Sequence, residues 1–295
     1  MKKIIVLSCV VLFLFSCKDK KKSGTEDAET GLAQKETHKD LYGSWVGDFI
    51  IAGSDEYEGD MNSANDKLNI IIKSITKDEV IGQSILSGNV RPLRGKIAKN
   101  GDEINFILDE PGTEKYDGRF EFKLKGDTLI GLWNAYKTEL KWPEKSYKLL
   151  RKSFVYNPNL MLSADYGYVD WSSEKVKSRL DTLDDGTIDT VSINGFYRSA
   201  SDKVFKLNAS NTTLKENDLK NLRKLDLQIL RNTIFARHGF TFKKQTYKDF
   251  FNPIEWYIPV SDNVDKELTD LERQNIKLLL RFEKYAEDNY DTFGR

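Results

Sequence analysis

Thiols and imidazoles are scarce in this chain. Its 295 residues hold two cysteines, Cys9 and Cys17, and two histidines, His38 and His238. Beyond residue 17 there is no thiol, so the rest of the chain can form no disulfide and offers no sulfur to a metal. A zinc site built on several histidines is excluded too, and a nucleophile–base pair would have to rely on His238. Charge of one sign is also missing: 46 Lys and Arg face 46 Asp and Glu. These charges are interspersed and leave no basic stripe of the kind a phosphate backbone requires, so nucleic acid is not an expected partner. No Gly-x-Ser-x-Gly, His-Glu-x-x-His or phosphate-binding glycine loop occurs. The expectation is a protein without cofactor or metal, and not an enzyme.

Long apolar runs are lacking as well, with one exception, Ile4 to Phe15. That run is shorter than a bilayer-spanning helix and follows Lys2 and Lys3, the pattern of a secretory signal. It leads into Leu14-Phe15-Ser16-Cys17, which resembles the bacterial lipobox. The resemblance implies that residues 1–16 are a lipoprotein signal peptide and that Cys17 carries the lipid that anchors the chain to a membrane. Without residues 1–16, 44 basic side chains stand against 46 acidic ones. Residues 17–40 are polar and charged and read as a tether. Cys17 is followed by Lys-Asp-Lys-Lys-Lys, not by a run of acids. The expected address is therefore the cell envelope, on the periplasmic side of the outer membrane.

About 250 residues remain, enough for two small domains. From residue 41 to 152 short alternating segments are separated by Asn-Gly-Asp, Gly-Asp-Thr and Pro-Gly-Thr, residues that tight turns demand. Eight such segments, from "YGSWVGDFIIA" to "SYKLLRK", predict an antiparallel β-barrel. Ile70, Ile72, Phe106, Leu108, Phe120 and Phe122 are its expected inward residues. Gly43-Ser44-Trp45 resembles the Gly-x-Trp signature that opens lipocalin-like barrels. That resemblance implies that Trp45 plugs one end, with Arg151 of the last strand covering its ring.

Residues 153–212 predict a connecting α/β segment: a short helix at "SEKVKSRLDTL" and strands at "DTVSINGFYR" and "KVFKLNASN". "DTLDDGTIDT" has the outline of a calcium loop, but Leu183 stands at its third position and Ser192 where a closing Glu belongs. A turn at Asp185-Gly186 accounts for the same residues.

Residues 213–295 predict a mostly helical module, which makes the whole an α+β multidomain chain. Leu219, Leu222, Leu225, Ile229, Asn232 and Ala236 fall on one face of a helix. Thr269 and Glu272 form a capping box, and Leu268, Leu271, Asn275, Leu278, Phe282 and Tyr285 are the expected inner stripe of the last helix. In "RNTIFARHGFTF", Gly239 reads as the left-handed residue that ends the first helix, with Phe235 touching Phe240 across the turn. Arg231, Asn232, Glu272 and Asn275 lie on or beside apolar stripes and need partners. They are expected to meet in a network completed by Arg237 or His238, facing inward; the alternative presents Arg237 and His238 to a ligand beside Trp256 and Tyr257.

The spaced elements Leu230-Arg231-Asn232, Phe235-Ala236-Arg237-His238-Gly239, Phe240, Phe242, Phe250-Phe251, Trp256-Tyr257 and Thr269-x-x-Glu272-x-x-Asn275 resemble the YARHG-domain family over residues 213–286. Phe235 replaces the name-giving tyrosine. The resemblance implies a role in the bacterial envelope and no known enzymatic activity. The expected function is therefore a non-enzymatic binding module whose partner is an envelope protein or cell-wall glycan. One alternative is a small apolar-ligand binder acting through the barrel. The other is an envelope hydrolase built on paired carboxylates, with Asp165, Asp170 and Glu255 as candidates.

Overall fold

The computed structural model describes residues 35–53, 66–164 and 167–286. Eight strands come first: β1 (Gly43–Ile51), β2 (Asp66–Ile75), β3 (Val80–Leu86), β4 (Asn89–Asn100), β5 (Glu103–Asp109), β6 (Gly118–Lys125), β7 (Thr128–Ala135) and β8 (Glu144–Lys152). Each pairs antiparallel with its sequence neighbours, and β1 closes on β8 with Trp45 opposite Arg151 and Phe49 opposite Tyr147. Closure leaves no unpaired edge. Two-residue turns set the register. Between β3 and β4, Ser87 and Gly88 both take positive φ (48° and 79°), the twist that a tight hairpin needs.

Alternation fills the barrel. Along β6, Phe120 and Phe122 are buried while Arg119, Glu121 and Lys123 face solvent. All six expected inward residues are buried. Phe106 stacks on Phe122 at 4.7 Å, and Phe49, Phe120, Trp133 and Tyr147 interlock beside them. At the end where β1 begins, Trp45 is buried and its indole N–H donates to the Leu41 carbonyl at 3.0 Å. The Arg151 guanidinium lies 5.9 Å from the Trp45 ring centre and donates to the Tyr42 carbonyl.

The connecting segment departs from expectation in two places. "SEKVKSRLDTL" is not helical; it belongs to β9 (Val169–Thr182), which pairs with β10 (Ile188–Ser199) in a two-stranded ribbon. Cross-strand bonding and the turn at Asp185-Gly186 override its weak helical pattern: Leu183 N–H donates to the Thr187 carbonyl and Gly186 takes φ +80°. "KVFKLNASN" is not a strand. It holds a 3₁₀ turn (Asp202–Phe205) and then an Asn208 turn in which the side chain accepts from Ser210 N–H, a local bond that competes with strand pairing.

Helices follow: α1 (Glu216–Leu219), α2 (Lys224–Arg237), α3 (Gln245–Phe251) and α4 (Asp270–Glu283). The expected single face from Leu219 to Ala236 is thus split over two helices. Asp226 is the cause: its buried carboxylate accepts from Arg223 N–H, restarting the helix there, and from both the N–H and hydroxyl of Ser201. Of the expected stripe of α4, Asn275 is buried and Leu268, Leu278 and Phe282 pack half-buried against the core, whereas Tyr285 is exposed and Glu272, Leu279 and Glu283 are buried beside the stripe. The helical core gathers Leu225, Ile229, Ile234, Phe251 and Leu279, and takes in Leu162, Val204 and Ala209 from the connecting segment.

β2 is buried on both faces. Leu68, Ile70 and Ile72 point into the barrel, whereas Lys67 and Asn69 are covered by the helical module. Lys67 Nζ donates to the carbonyls of Ile254 (2.8 Å) and Tyr257 (3.2 Å), and Asn69 Nδ2 to that of Pro259 (2.8 Å). Across the same junction Thr241 Oγ1 accepts from Gly88 N–H, and Lys248 pairs with Asp66 at 2.7 Å. Among the described residues no helix is long and apolar enough to cross a membrane.

Candidate functional site

At the end of α2, Gly239 takes φ +74°, its N–H donates to the Ala236 carbonyl, and Phe240 N–H donates to that of Phe235. Phe235 and Phe240 meet with ring centres 6.0 Å apart. These two bonds and the apolar contact make a Schellman ending. It leaves Arg237 and His238, both buried, aimed into the protein.

The structure brings His238 and Glu272 together at 2.9 Å. Glu272 accepts four further hydrogen bonds, from the N–H and hydroxyl of Thr269 and from the hydroxyls of Tyr156 and Ser210. Burial would raise its pKa, but the His238, Thr269 and Ser210 donors outweigh burial and hold the carboxyl at about 2. Glu272 is therefore ionised, and His238 Nε2 is the donor. The Tyr156 ring stacks on the imidazole at 4.2 Å. Arg237 donates through Nε and Nη2 to the Leu160 carbonyl (2.8 and 2.6 Å) and through Nη1 to Ser210 Oγ. Burial lowers its pKa to about 10. These elements coincide with a known family. Residues 202–284 match the YARHG domain. The chain matches no curated protein and no solved structure.

Within the YARHG domain the expected network is only partly assembled. Arg231 pairs instead with Glu283 (2.6 and 3.2 Å), and Asn232 donates to Gln228 in its own helix. Asn275 reaches the loop before α1, donating to the Ala209 and Thr212 carbonyls and accepting from Leu214 N–H. The two asparagines thus serve separate joints: Asn275 is taken up by the loop between Asn208 and Leu214, and Asn232 by its own helix. Trp256 donates to the Met161 carbonyl and the buried Tyr257 to that of Phe240. Arg231, Asn232, Arg237, His238, Glu272 and Asn275 thus all bond within the fold. Tyr156, Leu160 and Ser210 come from segments without periodic pattern, so spacing alone did not mark them.

Of the carboxylates considered for hydrolysis, Asp165 lies outside the described residues. Asp170 is buried and pairs with Arg198 while accepting from Ser172 and Thr246. Glu255 is exposed.

The other feature with site geometry is the barrel end opposite Trp45. There, among the described residues, the strand ends and turns surround a cleft of about 1010 Å³. Phe49, Phe120 and Trp133 form its floor, Leu86 and Leu140 its apolar walls, and Lys243 and Lys248 of the YARHG domain border one side. Glu110 is buried in the wall. It accepts from Ser84 Oγ (2.8 Å), Gly118 N–H (2.8 Å) and, more distantly, the Trp133 indole (3.4 Å), and burial raises its pKa. Lys145 lies across from Trp133 in β8, with Nζ 5.3 Å from the Phe49 ring centre, and burial lowers its pKa. Sequence reasoning passed over both. A signal was present: Phe106, Leu108 and Glu110 share one parity, as do Lys145, Tyr147 and Leu149, so both charges continue inward-facing rows.

Proposed function

We propose that this chain is a non-enzymatic binding protein of the bacterial cell envelope, anchored through a lipid on Cys17, whose ligand enters the open mouth of the barrel. The observation that carries the reading is the cleft itself: an aromatic floor ringed by polar groups, in a volume near the upper end of the range of about 300–1,000 Å³ that suits small-ligand sites. Because the barrel below is packed with side chains, the ligand is held at the rim and not swallowed. The saturated hydrogen bonding around Glu272 favours a structural role for the YARHG motif, while Lys243 and Lys248 elsewhere in the domain border the cleft. The Leu14–Cys17 lipobox supports the address; Cys17 itself lies outside the described residues.

Titration with an environment-sensitive apolar dye tests the site. A saturable signal is expected, weakened by Leu140→Asp, which charges the wall. No saturable signal, or one indifferent to Leu140→Asp, refutes the mouth as the binding site. Labelling of growing cells with an alkyne fatty acid tests the anchor: label should enter the native chain and be lost from Cys17→Ala.

A further inference from the structure

Among the described residues thirteen charged side chains border the mouth, yet most are accounted for. Arg91 pairs with Asp117 and Lys248 with Asp66, and the outer residues, such as Glu114, Lys141 and Lys243, are exposed to water. Two remain. Glu110 is buried and Lys145 half-buried, and among the described residues neither makes an ion pair, although Arg91 acts on Glu110 and Asp66 on Lys145 from farther away. They flank one residue: the Trp133 indole points to Glu110, and Trp133 is the cross-strand neighbour of Lys145. The mouth therefore offers a negative pole and a positive pole on either side of an aromatic floor.

A buried charge without a counter-ion costs free energy that a ligand charge can recover. A purely apolar ligand would meet the aromatic floor but gain nothing from either pole. A simple anion would satisfy Lys145 and face Glu110; a simple cation would do the reverse. Only a ligand carrying both signs relieves both, with an apolar part between them for Phe49, Phe120 and Trp133. We propose that the mouth binds a zwitterion of the amino-acid or short-peptide class, its ammonium donating to Glu110 and its carboxylate accepting from Lys145. This rests on the reading of the mouth as the binding site. The burial that raises the Glu110 pKa and lowers that of Lys145 is what each pole would gain from such a partner.

The test uses the full chain and native mass spectrometry with three equimolar dipeptide libraries: zwitterionic, N-acetylated and C-amidated. The zwitterionic library should be retained. Capping either end should lower the bound fraction about tenfold, the worth of one charge-assisted hydrogen bond. Glu110→Gln keeps an acceptor for Ser84 and should abolish the discrimination against acetylated peptides alone. Lys145→Met should abolish the discrimination against amidated ones alone. Equal retention of all three libraries overturns the proposal, as does failure of every dipeptide while the apolar dye saturates. Failure of dipeptides and dye together removes the mouth as a site altogether. Because capping changes the ligand and not the protein, the comparison of libraries stands whether or not either variant folds.

Discussion

At the scale of the residue, Glu272 is the extreme case, a carboxylate with five donors and no solvent. Its pKa falls from the ordinary 4.5 to about 2, and each pKa unit is worth about 1.4 kcal/mol, so ionisation contributes on the order of 3 kcal/mol. A depressed acid stabilises fully above its unfolded pKa and loses that contribution as pH falls through its folded one. Native protein should therefore lose stability between about pH 4.5 and pH 2, while Glu272→Gln, already weaker at pH 7, should show a shallower acid limb in urea melts. Parallel limbs would count against the assignment. Arg237 answers to a different logic. It holds the half-buried Leu160 carbonyl and the buried Ser210 without an ion pair of its own, so Arg237→Met leaves both short of a donor and should cost about 1–3 kcal/mol. No change in the thermal midpoint would show that water replaces it.

At the scale of the element, the end of α2 invites the sharpest substitution. A Cβ on Gly239 would sit 2.4 Å from Val260 Cγ2 and 3.0 Å from the Ile258 carbonyl, at a φ that L-residues rarely adopt. Gly239→Ala should cost roughly 1–3 kcal/mol from backbone strain, with the overlap adding to it, as read by thermal unfolding. This helix terminus was legible residue by residue, because a Schellman ending is a local device whose parts lie within six positions. All eight barrel strands were legible for a related reason, since period-two alternation and turn residues are local too. The two departures in the connecting segment had no such help. β9 belongs to a two-stranded ribbon with exposed Leu180 and Ile188, so no buried face imposes a clean alternation on its sequence. The break between α1 and α2 carries neither glycine nor proline; it depends on Asp226 reaching Ser201, a contact distant in the chain. The asparagine network failed likewise: helical spacing tells which face a residue is on, not which loop will come to meet it.

At the scale of the whole molecule, the junction of the barrel and the YARHG domain carries polar side chains, Lys67 and Asn69, beside the buried apolar Val46 and Ile85. Lys67 is central: burial lowers its pKa to about 8, with Lys152 adding repulsion. For a base whose folded pKa lies below the unfolded 10.5, stability rises as pH increases from about 8 towards 10.5. Native protein should thus gain on the order of 2 kcal/mol relative to Lys67→Met between pH 8 and pH 10, measured by urea melts at both. A constant difference would mean that Lys67 is hydrated at the junction. The dominance of paired and hydrogen-bonded groups here also explains why Lys67 and Asn69, polar positions on an otherwise apolar strand, gave no warning from the sequence. They look like a solvent face until a second domain covers them.

The two ends of the barrel are unlike, and the chain enters at the closed one. Thr37 N–H donates to the Ile75 carbonyl and Leu41 lies beneath Trp45, so the polypeptide coming from the N-terminal side arrives at the plugged end, with the mouth opening at the other. The mouth and the point where the described chain begins therefore lie at opposite ends of the barrel, so a ligand held in the mouth leaves Thr37, Leu41 and Trp45 untouched.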